Sequence, residues 1–141
     1  MDGSVSEPTP HRMVNPSTLA PAVGFAHAVV AEGRMVFLGG QTGHRADESI
    51  DDGLVAQFDQ ACANVVEALR AAGARPEHLV SLQIVTTDAA AYRASRGPIG
   101  EGYRRHFGRH YPAMALLEVS GLFDEEALVE LIGVAVVPPE G

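Results

Sequence analysis

The sequence predicts an α+β domain in the order β-β-β-α-β-α-β-β. Three patterns carry that prediction. Leu54, Phe58, Ala61, Cys62, Val65, Leu69 and Ala72 recur at helical spacing and form one apolar stripe. Short runs rich in β-branched residues stand on both sides of that helix. The last of these runs, Leu128–Val137, is apolar on both faces.

Each element has its own signals. A first strand is expected near His11–Val14, broken by Asn15-Pro16-Ser17. His27–Ala31 and Arg34–Leu38 flank Glu32-Gly33 and read as a tight β-hairpin. Gly39-Gly40-Gln41-Thr42-Gly43 ends the second of these strands. The first helix runs from Leu54 to Ala72, with Asp51 or Asp52 as its expected N-cap and Gly73 as its stop. Pro76 forbids continuation. Leu79–Thr87 reads as a strand. A second helix is expected over about 100–110, with Tyr103 and Phe107 on its inner side and Pro112 beyond its end. Met114–Val119 and Leu128–Val137 are the final strands, joined through Asp124-Glu125-Glu126.

The last strand makes a quaternary prediction. Leu128, Ile132, Val134 and Val136 share one face, while Val129, Leu131, Ala135 and Val137 share the other. A strand apolar on both faces needs cover on both. Two helices on one face of a mixed sheet leave the other bare. A second copy of the sheet is the simplest cover, so an obligate oligomer is expected.

The 141 residues fit one core, expected over 12–138, with 1–11 a flexible N-terminal tail. No apolar run approaches the about 20 residues of a membrane span. The formal net charge of −8 makes nucleic acid a poor default partner. Cys62 is the single cysteine, so no intrachain disulfide can form. The N-terminus lacks a basic start followed by an apolar run. A cytoplasmic location is therefore expected.

The chemistry-bearing residues are few. Gly39–Gly43 lacks the Gly-Lys-Ser/Thr ending of a phosphate loop and reads as a strand end where backbone comes close to backbone or ligand. His106 and His110 have a metal-compatible spacing, but Arg104, Arg105 and Arg109 crowd them. That segment reads as a solvated face, with anion or RNA binding by Arg104, Arg105, His106 and Arg109 as the lesser alternative, and neither a metal nor a cofactor is expected. Cys62 sits on the helix stripe as a buried thiol. Ser81, Ser95 and Ser120 lack a nucleophile-elbow context. Glu118 and Glu130 each interrupt an apolar strand, which is costly without solvent, a partner or a ligand. Each is either an interface or surface carboxylate or a pocket acid or base.

The order of short signatures resembles the RidA/YjgF family, also called L-PSP or reactive intermediate deaminase proteins. The resemblance runs from about Met13 to Val137. It rests on Gly24-Phe25-Ala26, Phe37-Leu38-Gly39-Gly40-Gln41, Asn64-Val65, Ala71-Ala72-Gly73, Tyr103 before Phe107, Tyr111-Pro112-Ala113 and Leu128-Val129-Glu130. It implies a chorismate-mutase-like fold and a homotrimer with a barrel core and clefts between subunits. It also implies hydrolysis of imines and enamines, with an Arg gripping the substrate carboxylate and Tyr, Ser and Glu assisting.

This chain departs from the family pattern at each of those positions. Met114 stands at the Arg position, Phe25 at the Tyr position and Gly39 at the Ser position. Leu116 replaces a small thiol residue, and Ile132 aligns with the water-positioning Glu. Glu130 matches the other Glu of that strand and is the candidate acid or base; a one-residue shift in the preceding loop would give it the functional position. The expected pocket is Phe25, Gly39, Gly40, Gln41, Met114, Leu116 and Ile132. Lacking a guanidinium clamp, it should favour an apolar or uncharged ligand. Two functions remain open: a diverged imine or enamine hydrolase with weak activity on 2-aminoacrylate, and a non-catalytic metabolite-binding or regulatory trimer. Ribonuclease or translation inhibition, a label some relatives carry, fits the acidic charge poorly.

Overall fold

The computed structural model describes residues 8–140. Its central unit is a four-stranded mixed sheet in the order β3-β6-β4-β5. The strands are β3 (Arg34–Phe37), β4 (Leu79–Thr86), β5 (Ala113–Glu118) and β6 (Val129–Val137). β6 pairs antiparallel with both β3 and β4, while β4 and β5 run parallel. A separate antiparallel ribbon joins β1 (Arg12–Val14) to β2 (Ala28–Val30).

The predicted hairpin between β2 and β3 is not formed. β2 pairs with β1 and β3 with β6. Gly33 explains the divergence. Its φ is +143°, and a Cβ there would lie 1.9 Å from the Val137 carbonyl oxygen. The glycine lets the chain pass close against the end of β6 rather than fold back on itself.

Helix α1 (Leu54–Ala71) buries its predicted stripe, with Phe58, Ala61, Cys62, Val65 and Leu69 fully enclosed. Its N-cap is Gly53, with no side-chain cap. Asp51 instead forms a bidentate pair with Arg45 at 2.9 and 2.7 Å, so its carboxylate is already committed. The helix ends as predicted at Gly73, which has φ +81°. The Gly73 N–H donates to Arg70 and the Ala74 N–H to Leu69, a Schellman pattern.

Two helices replace the second one predicted. α2 (Ala89–Ala94) and α3 (Arg96–Phe107) abut at Ser95. Asp88 caps α2 by accepting from the Ala91 N–H at 2.9 Å. α3 stops at Phe107 because Gly108 takes φ +70°. His110 therefore lies beyond the helix and is buried, not on a solvated face. Its Nε2–H donates to the Leu79 carbonyl at 2.7 Å. Arg105 and His106 both bond Asp59, tying α3 to α1.

The helices cover one side of the sheet. Val129, Leu131 and Ala135 of β6 are fully buried there with Leu79 and Leu82. The opposite side is open. Met35 and Phe37 are 60% and 70% exposed, and their cross-strand partners are Val136 and Val134. Leu117 on β5 is also exposed. No helix among the described residues is long and apolar enough to cross a membrane.

Ordered contacts begin before β1. Thr9 donates its hydroxyl to the Glu77 carbonyl at 2.7 Å, and His11 bonds the His78 carbonyl at 3.0 Å. The remainder of the expected tail, 1–7, lies outside the described residues.

Burial pushes the pKa of both His110 and His78 down. Below the ordinary histidine value of about 6.5, the unfolded chain therefore holds more protons than the native one. Stability should be full above that pH and fall as pH drops toward 5. Thermal unfolding between pH 7.5 and 5 measures this. His110→Asn should remove part of the slope, and an unchanged slope would take His110 out of the account.

Candidate functional site

The sheet sorts the predicted site residues into two groups. Met114 pairs with Leu82, and Leu116 with Ile84. Both therefore face the helices, since paired residues share a face. Ile132 pairs with Gln83, and Glu130 with Val85. Both lie on the open face. Within one protomer, the sheet itself stands between Met114 and Glu130.

Met114 lines a cavity of about 600 Å³ bounded by α3, β5 and the segment before β2. The Ala26 N–H donates to the Pro112 carbonyl at 3.0 Å, and Ala26 bridges Ala113 in parallel. That contact brings Val23 and Gly24 into the cavity wall. Phe25 is outside the lining and packs edge-on against His27, with ring centroids 5.1 Å apart. Leu116 is 39% exposed and also outside the lining.

The sequence predicts apolar walls around Met114. The floor agrees, with Phe58, Ile84 and Ile99. The rim does not, because Arg96 and Arg104 border the same cavity. The reason is the register of α3. The helix begins at Arg96, earlier than predicted, so Arg96 joins the side that carries Ile99 and Tyr103. Tyr92, Tyr103 and Tyr111 complete the wall. The Tyr103 hydroxyl donates to the His110 carbonyl at 2.6 Å, and burial pushes the Tyr92 phenol up to about 12.

Glu130 lines a second hollow of about 510 Å³ with Gly40, Thr42, His44, Arg45 and Phe123. Two amides shape it, Gln57 buried and Asn64 half-buried. Gln57 donates to the Asp51 and Glu126 carbonyls and accepts from the Leu128 N–H at 2.7 Å. Asn64 donates to the Thr42 and His44 carbonyls at 2.9 and 2.7 Å. Together they moor the strand-end loop and the acidic loop to α1. Gln41 exchanges backbone hydrogen bonds with Leu131, and its side chain donates to the Gly39 carbonyl. Glu118, the other carboxylate singled out in the sequence, is exposed and accepts from the Ala89 N–H at 2.9 Å.

Sequence reasoning did not find His44. Its Nε2–H donates to Asp124 at 2.9 Å, and its Nδ1 accepts from the Thr42 hydroxyl at 2.6 Å. Glu126 stands beside them, with ligand atoms of the three side chains within 4.8 Å of one another. Residues so distant in sequence leave no spacing signal. Both imidazole nitrogens already serve the loop contacts. Cys62 is fully buried, and burial pushes its thiol up, which removes it as a nucleophile.

Two glycines of the strand-end loop differ in what they face. A Cβ at Gly40 would meet the Glu130 carboxylate at 2.7 Å, the free end of a flexible side chain. A Cβ at Gly43 would meet the Gln57 backbone at 2.7 and 2.8 Å. Gly40→Ala should turn Glu130 aside with little loss of melting temperature. Gly43→Ala should cost on the order of 1–3 kcal/mol, because helix α1 must shift. Denaturation of the two variants checks this; equal losses would contradict it.

Comparison with known proteins agrees with this architecture. The family described as Endoribonuclease L-PSP matches residues 16–137. The 2-iminobutanoate/2-iminopropanoate deaminase of Capra hircus is 26% identical over 131 residues, covering 91% of each chain. The Mus musculus protein of the same name is 29% identical over 131 residues, covering 91% of this chain and 93% of its own. A Rid-family protein of unknown function from Yersinia pestis superposes with a TM-score of 0.80 at 31% identity, covering 90% of this chain and 98% of its own. A Mycobacterium tuberculosis member of the YjgF/YER057c/UK114 family gives a TM-score of 0.62 at 30% identity, covering 90% and 99%. The chain belongs to the RidA/YjgF/L-PSP family.

Proposed function

We propose that this chain forms a homotrimer that hydrolyses imines or enamines with an apolar body, in clefts where the Met114 side of one protomer meets the Glu130 side of the next. The observation that carries this reading is the segregation of the two groups. Met114 and Glu130 lie on opposite faces of one sheet, and the face bearing Glu130 exposes Met35 and Phe37. A second copy laid on that face would bury these apolar residues and place a carboxylate beside a neighbour's cavity. The imine deaminases among the relatives supply the reaction class.

The chemistry needs no cofactor. Water adds to the carbon of the C=N bond while Glu130 takes its proton. Glu130 passes that proton to nitrogen to complete the carbinolamine, whose hydroxyl proton then follows the same route as the C–N bond breaks, leaving a carbonyl and ammonia. Glu130 has no hydrogen-bond partner among the described residues, so its oxygens are free for water. With Met114 at the family's Arg position, the floor of the cavity offers short imino acids no clamp. Larger apolar imines gain by filling the space between Phe58, Ile84 and Ile99.

A second reading is ligand binding without turnover. It is favoured by Phe25 and Gly39, which carry no hydroxyl where the resemblance implies Tyr and Ser.

Ammonia release from freshly generated imines separates the two. The hydrolase reading expects imines with bulky apolar side chains to outpace 2-iminopropanoate. It expects Glu130→Gln to lower turnover by about 10²-fold. Activity untouched by Glu130→Gln would remove Glu130, and binding with no ammonia from any imine would leave the second reading. A monomer by sedimentation would overturn the shared cleft.

A further inference from the structure

We propose that Arg96 and Arg104 form an anion clamp at the rim of the Met114 cavity, and that the ligand is therefore a carboxylate with an apolar body. This inference rests on the small-molecule reading above and names its substrate class.

Four observations converge. Both guanidinium side chains border the same cavity, whose floor is apolar. Arg104 is directed back along α3: its Nη1 lies 3.1 Å from where a Cβ on Gly100 would sit. Gly100 itself lines the cavity, so its missing side chain leaves the slot that the guanidinium occupies. Neither Arg96 nor Arg104 forms an ion pair among the described residues, whereas Arg45, Arg70, Arg75 and Arg105 do. No Asp or Glu lines the cavity to neutralise them.

Both side chains are exposed, and what sets them apart from Arg12, Arg34, Arg93 and Arg109, which also lack an ion pair among the described residues, is their shared place on an apolar hollow. A guanidinium fork matches a carboxylate in a bidentate manner. The two arginines lie eight residues apart on one helix, a rise of about 12 Å. The Arg104 guanidinium already lies beside Gly100, four residues from Arg96, so an extended Arg96 side chain can reach an anion held there. The apolar part of the ligand would then point down toward Met114, Phe58 and Ile99.

Calorimetric titration with three probes tests the clamp. 4-Phenyl-2-oxobutanoate carries both features, 4-phenyl-2-butanone lacks the carboxylate, and pyruvate lacks the apolar body. The full acid should bind at least about tenfold more tightly than either partial probe. Arg96→Gln and Arg104→Gln should each weaken the acid by about tenfold and leave the neutral ketone within twofold. Gly100→Ala keeps both charges but displaces the Arg104 guanidinium, so it should weaken the acid alone.

Equal affinity for acid and ketone, no binding of any probe, or acid binding unchanged in the double Arg variant would each overturn the clamp. Failure of the hydrolase reading looks different. Acid-selective binding without ammonia release would sink turnover and leave the clamp standing. Turnover indifferent to both arginines would do the reverse.

Discussion

The structure depends on one strand that must satisfy two environments. β6 lies between β3 and β4 and supplies hydrogen bonds to both. Its Val129, Leu131 and Ala135 side chains close the helix-side core at zero exposure. The alternate residues, Glu130, Ile132 and Val134, project to the other side and are half-buried. A residue slip of one would exchange these sets and drive Glu130 into the core. The register is therefore held by the cost of a buried, unpaired carboxylate as much as by apolar packing. The same alternation separates the two hollows, since whatever lines one face of the sheet is denied to the other.

Loops around β6 are positioned by side-chain amides rather than by regular structure. Gln57 is 2% exposed and joins the segment at Asp51 to the segment at Glu126–Leu128. Asn64, two turns further along α1, holds the carbonyls of Thr42 and His44. Each amide satisfies backbone groups that no ladder could reach, which is the condition for burying them. The stiffness of the hollow beside Glu130 thus derives from α1, itself fixed by the packing of Phe58 and Leu69. A helix read from its apolar stripe turns out to do its positional work through the two polar residues near that stripe.

This shows how much the sequence disclosed. α1, its Gly73 stop and the two-faced β6 were legible because period and backbone chemistry are local. Glu130 stood out as a candidate because a carboxylate in an apolar strand calls for a reason. The β2–β3 hairpin was misread because Gly33 permits a turn and equally a close backbone passage, and only the position of Val137 decides between them. The start of α3 was missed because Arg96-Gly97-Pro98 contains no apolar residue, so the periodic signal begins at Ile99. His110 was placed outside because its partner, the Leu79 carbonyl, lies 31 residues away in sequence. Arg96 was hidden for the same reason as the helix start, whereas Arg104 stood within the predicted helix and was read as part of a solvated face.

Electrostatics links that rim to the methionine. Arg96 and Arg104 already bring two positive charges to a cavity of about 600 Å³ with no carboxylate in its walls. A third guanidinium at position 114 would lie on the apolar floor, away from water and close to two like charges. Both terms raise its cost. A neutral, flexible side chain lines the same cavity beside Ile84 and Phe58 without that penalty. Met114 and the rim arginines are thus two parts of one solution, in which cationic charge stands at the mouth rather than the floor. Charge at the mouth orients a ligand with its apolar end inward, the reverse of a site that grips its anion deep inside. The reacting carbon of a 2-imino acid adjoins its carboxylate. In the proposed trimer it would therefore be held near the mouth, within reach of the neighbouring protomer's Glu130.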